Sequence, residues 1–394
     1  MTRTLEVGSV LVAHGYRVIF AIDESKHELA QGTGVICVPA KRSLEEGLSI
    51  ESINNWKDEA WMLGIAKSDQ VIIKEHTPDV VVVDFRPSAV AASLSLGLPT
   101  FFITGSGGLP SGCYLPNPGV PAPLHALIAP LVRWQVWRVK KPFFRAMHAA
   151  SIALGASGSL HDHFHGLRYI VPEYNGYLPV NDSSLRINYV GPIFWSGFEK
   201  KSPEWLKTIK PDGRTIYLSF GGPGYDSKKL VSLSVGLVTR GYRVIVSASH
   251  IAPLNAFPKT NNLYVSTYLP GQEVCRHVDL VVCHGGYGTM MQAFFTRKPV
   301  IAIPFNPDQL LHALRISELG LGRTIVRWDL RPFVSLKWDA FMSLGSRVPN
   351  DWILGAVEGV LANKTSHQEA IAKFFTGRST DNGALRAARV IENV

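Results

Sequence analysis

In the second half of the chain, short apolar runs recur at nearly regular spacing, and each ends in glycine or polar residues. Arg214–Phe220 reads as a strand, followed by Gly221-Gly222-Pro223-Gly224 and a helix from about Ser227. Arg243–Ala248, Leu263–Val265, Asp279–Cys283 and Val300–Pro304 are the strands that follow. Short apolar runs bounded by turn residues are the pattern of buried parallel strands, and their alternation with helical segments predicts a doubly wound sheet. In the first half, Tyr16–Ala21, Gly34–Pro39, Val80–Asp84 and Thr100–Thr104 read as strands, with Leu5–Ala13 and Ala89–Leu96 as helices. The fold class this predicts is α/β, with ligands at the carboxyl ends of the strands.

Those carboxyl ends carry the candidate chemistry. His284, Gly285 and Gly286 follow Asp279–Cys283, and Gly288 and Thr289 open the next helix. The first N–H groups of a helix have no intrahelical partner, so a diphosphate placed there meets donors and the positive end of the dipole. His284 adds a further donor, and the glycines let a ligand approach the backbone. Val300–Pro304 leads into a loop bearing Asp308 and Gln309, a pair able to hold several hydroxyl groups at once, which suits a sugar. Ser219, Gly221 and Gly222 close Arg214–Phe220, where the glycines serve either ligand approach or a tight turn. Asp84 ends the run VVVVD before Phe85-Arg86-Pro87 and reads either as a site residue or as a helix N-cap.

Composition narrows the class. A chain of 394 residues, 46% hydrophobic and 18% charged, is globular and long enough for two or three domains. Cys37, Cys113, Cys275 and Cys283 show no metal-ligand spacing and read as reduced thiols of a cytosolic protein. No signal-peptide pattern and no run of 18 apolar residues is visible, and Gly, Pro and Ser break the long uncharged stretch from Pro87 to Arg133. The net charge of +9 lies wholly in residues 196–394, with 24 basic and 15 acidic side chains against 16 and 16 before them. A basic second half fits an anionic nucleotide, whereas nucleic acid is not expected, for want of a recognition helix, zinc finger or aromatic RNP-type strand.

Between Asp84 and Asp162 there is no acidic residue, and Arg133, Arg138, Lys140, Lys141 and Arg145 lie among Trp134, Trp137, Phe143 and Phe144. Residues 133–145 read either as an anionic-membrane contact or as an amphipathic cover over an acceptor cleft. Pro142 predicts two short helices there. His161, His163 and His165 alternate, but no carboxylate cluster joins them, so they read as a polar loop and no metal is expected.

HGGYGT, then KPVIAIPF, then DQ with His312-Ala313 after it, resembles the donor-site signature of nucleotide-sugar-dependent glycosyltransferases of the GT-B fold. The bacterial macrolide- and flavonoid-type group, UDP-glycosyltransferase-like family 1, is the nearest in look. The family 28 group acting on lipid carriers and diacylglycerol is the near neighbour. The resemblance covers nearly the whole chain and is most specific over 214–322. It implies two Rossmann-like domains facing a cleft: an acceptor domain at 1–190, a linker at 191–213, a nucleotide-sugar domain at 214–375, and a terminal helix within 376–394 that crosses back to the first.

The activity implied is inverting transfer from a nucleoside-diphosphate sugar, a UDP-sugar or its thymidine counterpart, to the hydroxyl of a small hydrophobic or lipid acceptor. No cofactor is expected, and the location implied is cytoplasmic, with or without peripheral membrane attachment. Tyr268 and Pro270 stand where the family places the nucleobase contact, and Tyr268 reads equally as an ordinary loop tyrosine. Gln292 stands where a glutamate usually grips the ribose. Asp84 matches the aspartate that orients a catalytic histidine.

The family's opening strand and histidine loop are not recognisable before Leu5–Ala13. The acceptor domain is therefore expected to lack its first strand and its base, with the true start upstream or another segment filling the slot. His14, at the end of that helix, is not a substitute for the base. A catalytically impaired nucleotide-binding or regulatory protein, or a GT-B epimerase, is the alternative.

Overall fold

The computed structural model describes residues 2–40, 55–195, 202–221, 226–248, 251–327 and 345–394. The chain divides into two compact units, 1–114 with 128–199 and 381–394, and 115–127 with 200–380.

The first unit runs α1 (Thr2–Ala13), β1 (Ile19–Ile22), β2 (Ile36–Pro39), α2 (Glu59–His76), β3 (Val81–Asp84), α3 (Pro87–Ser95), β4 (Thr100–Ile103), α4 (Ala122–Ala153), α5 (Leu160–Gly166), β5 (Arg168–Val171) and β6 (Arg186–Tyr189). Its strands form two parallel sheets, the pair β1-β2 and the four-stranded β3-β4-β5-β6. Among the described residues β1 pairs only with β2 and β3 only with β4, so each keeps one open edge. Helix α1 lies against both sheets. A Cβ on Gly8 would come within 3.2 Å of Val35 and 3.4 Å of Val18, while Arg3 and Thr4 reach Asp84 at the end of β3.

Two local expectations are corrected here, and one contact of His14 is added. Residues 133–145 belong to one 32-residue helix, α4, which contains both Pro130 and Pro142. A proline removes one ladder bond, and burial of Phe144, Ala146, Met147 and Ala150 in the core holds the following turns in line. His161, His163 and His165 are helical. Ser159 and Asp162 make a reciprocal capping box that starts α5, and His163 is buried while His161 and His165 stack outside. His14 interacts not merely with a helix end but with Glu392, 2.6 Å from its Nδ1.

The second unit comprises α6 (Glu204–Thr208), β7 (Thr215–Ser219), α7 (Ser227–Thr239), β8 (Arg243–Ser247), β9 (Leu263–Ser266), α8 (Gly271–Arg276), β10 (Leu280–Cys283), α9 (Tyr287–Phe295), β11 (Val300–Ala302), α10 (Pro307–Glu318), β12 (Gly322–Thr324), α11 (Asn350–Ala362) and α12 (Lys364–Phe375). Six parallel strands lie in the order β12-β11-β10-β7-β8-β9. The central strands are buried, which is why they read as continuous apolar runs. At their amino ends the buried Asp279 carboxylate accepts from the Gly213 and Thr215 N–H groups and pairs with Lys364 at 2.6 Å. The last helix, α13 (Ala384–Glu392), belongs to the first unit and packs its Ala384, Ala387, Ala388 and Ile391 with Val7 and Leu11 of α1.

All four cysteines stand outside disulfides, and burial pushes the Cys275 and Cys283 thiols up to about 12. Both are therefore protonated packing groups at neutral pH. Among the described residues no helix is long and apolar enough to cross a membrane, and no group of side chains could hold a metal ion.

Candidate functional site

In the second unit the strand order reverses between β7 and β10. The chain leaves β7 toward β8 and β9, then returns to lay β10, β11 and β12 on its other side. Such a reversal opens a crevice at the carboxyl ends, because the flanking loops diverge there. Ser219 and Cys283 are register partners across it, and His284, one residue on, points its Nδ1 at the Ser219 carbonyl, 3.4 Å away. A carbonyl only accepts, so Nδ1 carries the proton and Nε2 of the neutral ring is bare. Burial pushes the His284 pKa below its ordinary value, against the opposing pull of that carbonyl.

The two glycines after His284 have different reasons. Gly285 has φ +81°, and a Cβ there would lie 3.1 Å from the Gln309 carbonyl oxygen. A Cβ on Gly286 would lie 2.5 Å from His284 Nε2, so this nitrogen sits directly over the residue that begins α9. Gly286 is the N-cap of α9 and no side chain caps it, so the first-turn N–H groups of Gly288 and Thr289 face a position where an anion could sit. At Gly288 and at Gly221 an added Cβ would meet nothing within 4 Å, so space is open above both. Gly222 lies outside the described residues.

Asp308 and Gln309 are not in a loop but in the first turn of α10. Asn306 caps that helix by accepting from the Gln309 N–H at 2.9 Å, and Pro307 fills the first position. The Gln309 side-chain oxygen accepts from Phe305 N–H at 2.8 Å, so its NH2 end is turned away from that backbone. Asp308 is exposed, 3.8 Å from His312 Nε2, and the His312 ring packs 5.1 Å from Tyr287 at the start of α9. Gln292 of α9 abuts Gly271, where a Cβ would collide with its carboxamide, and Pro270 is the N-cap of that same turn. Tyr268 is 41% exposed, its carbonyl accepting from Ser266 Oγ at 2.8 Å. Ser219, His284, Gly285 and Gln309 are thus joined directly, and Gln292 is joined to the Pro270 turn. Asn306 was missed from sequence, though asparagine before proline at a strand end is a cap signal.

Asp84 stands in the first unit and already has partners. Arg3 grips its carboxylate with Nη2 at 2.6 Å and Nε at 3.0 Å, and Thr4 Oγ1 donates at 2.8 Å. Burial alone would raise its pKa, but the Arg3 guanidinium overrides that and holds the carboxyl well below the usual range. The N-cap reading fails, since α3 is capped at Arg86 with no side-chain bond. Arg3 and Thr4 both come from the first helix, α1, and neither is a histidine. A cation in the first turn of a helix opposes the dipole, and Arg3 in that position is the signal that a carboxylate lay nearby.

Comparison with known proteins bears on the fold. Residues 246–333 match the glycosyltransferase family 28 C-terminal domain. The chain is 29% identical over 272 residues to a PGL/p-HBAD biosynthesis glycosyltransferase of Mycobacterium tuberculosis, an alignment covering 65% of this chain and 60% of the relative. The glycotransferase of kitacinnamycin superposes with a TM-score of 0.70 at 21% identity, covering 99% of this chain and 94% of that one. Os79 from O. sativa in complex with UDP superposes with a TM-score of 0.68 at 15% identity, covering 99% and 97%. The chain spans about 60% of the curated relative's length. Its fold is that of the GT-B glycosyltransferases, with two Rossmann-like units.

Proposed function

We propose that the protein moves a sugar from a nucleoside-diphosphate sugar to an acceptor hydroxyl. The observation that carries this is the uncapped start of α9 behind Gly285-Gly286, with His284 Nε2 above it at the β7/β10 reversal. In the transfer, the acceptor oxygen bonds to the anomeric carbon as the bond from that carbon to the diphosphate oxygen breaks, and the hydroxyl proton passes to water. Charge grows on the departing diphosphate, where helix N–H groups and a protonated His284 stabilise it. Asp308 and Gln309 hold the sugar hydroxyls, and Tyr268, Pro270 and Gln292 receive the nucleoside. The UDP complex of a protein with this fold supports uridine as the base.

The acceptor reading concerns α4. Leu124, Leu127, Leu131 and Trp134 make an exposed apolar stripe, with Arg138 over the Trp134 ring at 4.8 Å. In a stretch free of acidic residues, that stripe supports attachment to an anionic membrane on its cytoplasmic side and a lipid acceptor. Phe144, by contrast, is core, and Lys140 reaches the Gly107 carbonyl, so the exposed cations beside the stripe are Arg133, Arg138, Lys141 and Arg145.

One observation favours a second reading. The carboxylate that the family pattern pairs with a histidine is held by Arg3, as in a protein that binds the donor and transfers poorly. Calorimetric titration with UDP and thymidine diphosphate, followed by an assay of UDP-sugar consumption, separates the two. Binding with transfer supports the enzyme, binding without transfer the impaired form, and a folded protein that binds neither nucleotide rejects both.

A further inference from the structure

Phe85 follows Asp84 at the end of β3 with φ +51°, a conformation that a bulky residue adopts only under constraint. The constraint is visible on both sides. Asp84 is held by Arg3 and Thr4, and the Arg86 guanidinium forks onto Asp69, with Nη2 at 2.7 Å, while Ser88 Oγ donates to the same carboxylate at 2.7 Å. Glycine or asparagine would take this conformation more easily. The ring stays largely outside the core, for Phe85 is 51% exposed. It is backed all the same. Trp56, 4% exposed, lies with its ring 4.9 Å from Phe85 and continues to Phe143 at 5.7 Å. A large aromatic held outward against its backbone preference, propped by a buried tryptophan at a parallel strand's carboxyl end, has the form of a ligand platform.

We propose that Phe85 is the stacking platform of an acceptor subsite beside Asp84, selecting acceptors that carry their hydroxyl on or next to an aromatic ring. The inference rests on the sugar-transfer reading. Face or edge contact between rings adds roughly three- to tenfold in affinity beyond area burial.

The test compares 2-naphthol with its fully saturated counterpart, decahydro-2-naphthol, by calorimetry on the full chain with and without UDP. The native protein should prefer the aromatic alcohol, Phe85→Tyr should keep that preference, and Phe85→Leu should lose it by about three- to tenfold. Phe85→Gly should fold with undiminished thermal stability, since its backbone suits φ +51°, and lose the preference as well. An unchanged preference in Phe85→Gly, or no naphthol binding by a protein that binds UDP, overturns the proposal and leaves the function standing. Failure of the native protein to bind UDP overturns the function on which it rests.

Discussion

The two units set polar residues at the same place, the carboxyl ends of a parallel sheet, and arrange them to opposite effect. In the second unit the His284 ring is buried and its pKa lowered, the α9 donors are uncapped, and open space lies above Gly288. In the first, Asp84 is already satisfied by Arg3 and Thr4, and what faces outward beside it is an aromatic ring. One sheet end presents backbone donors and a buried ring. The other has supplied its own counter-charge. Equivalent topology therefore fixes where a ligand can sit but not which charge it brings.

The sharpest break of this comparison sets Asp84 against Asp308. Asp84→Ala strips a 6%-exposed partner from Arg3 and should cost about 3–5 kcal/mol, the range for breaking a buried pair. Asp308→Ala, at an exposed carboxylate, should stay within about 0.5 kcal/mol. Urea midpoints measure both. Because the folded pKa of Asp84 is depressed, its contribution is present above the ordinary carboxylate value and lost as pH falls toward the folded one. Acid should therefore destabilise native protein more than the Ala variant.

Next in size is His284→Ala, expected to weaken UDP binding by about 1–3 kcal/mol. A diphosphate over Nε2 raises a pKa that burial had lowered, so binding takes up a proton. Affinity should fall as pH rises through the bound-state pKa, and titration in two buffers of different ionisation heat should show the uptake vanish in the variant. A native protein whose affinity is flat with pH would mean that the ring binds as a neutral group.

Asp308→Asn should leave UDP affinity within about twofold and lower sugar transfer about tenfold, as loss of a charged hydroxyl contact would. Equal losses in both would merge the sugar and diphosphate roles assigned to different helices. The smallest effect concerns α4. Co-sedimentation with phosphatidylglycerol vesicles should fall with salt and weaken on Arg133→Glu with Lys141→Glu, by about 1 kcal/mol for each cation near the surface. Binding indifferent to salt and lipid charge would return the Trp134 stripe to a protein-covering role.

Much of the second unit is legible in its sequence because buried parallel strands need uninterrupted apolar runs, as in Leu280–Cys283 and Val300–Ala302. Helix starts are legible where the cap is local. Two such signals went unread all the same: Asn306-Pro307, which places Gln309 on α10, and Ser159 with Asp162, which starts α5. What sequence hides is long-range. Arg3 meets Asp84 across 81 positions and His14 meets Glu392 across 378, and no local pattern encodes either. Pro142 misleads for the same reason, since tertiary packing of Phe144 and Met147 outweighs the local cost of the ring.

The placement of α13 has a consequence for synthesis. Val7 and Leu11 share a core with Ala384, Ala387, Ala388 and Ile391, and Glu6 accepts a hydrogen bond from Asn382. The cluster that α1 shares with β4 and β5 is therefore closed only once residues 384–391 have been made. Its partner, built almost wholly from 200–380, has its strands in hand by then. At bacterial or eukaryotic elongation rates the delay is on the order of tens of seconds, during which the open edges of β1 and β3 and the uncovered face of α1 are exposed to the ribosome's surroundings. The amino-terminal half is thus where a nascent-chain chaperone would be needed while that one cluster stays open.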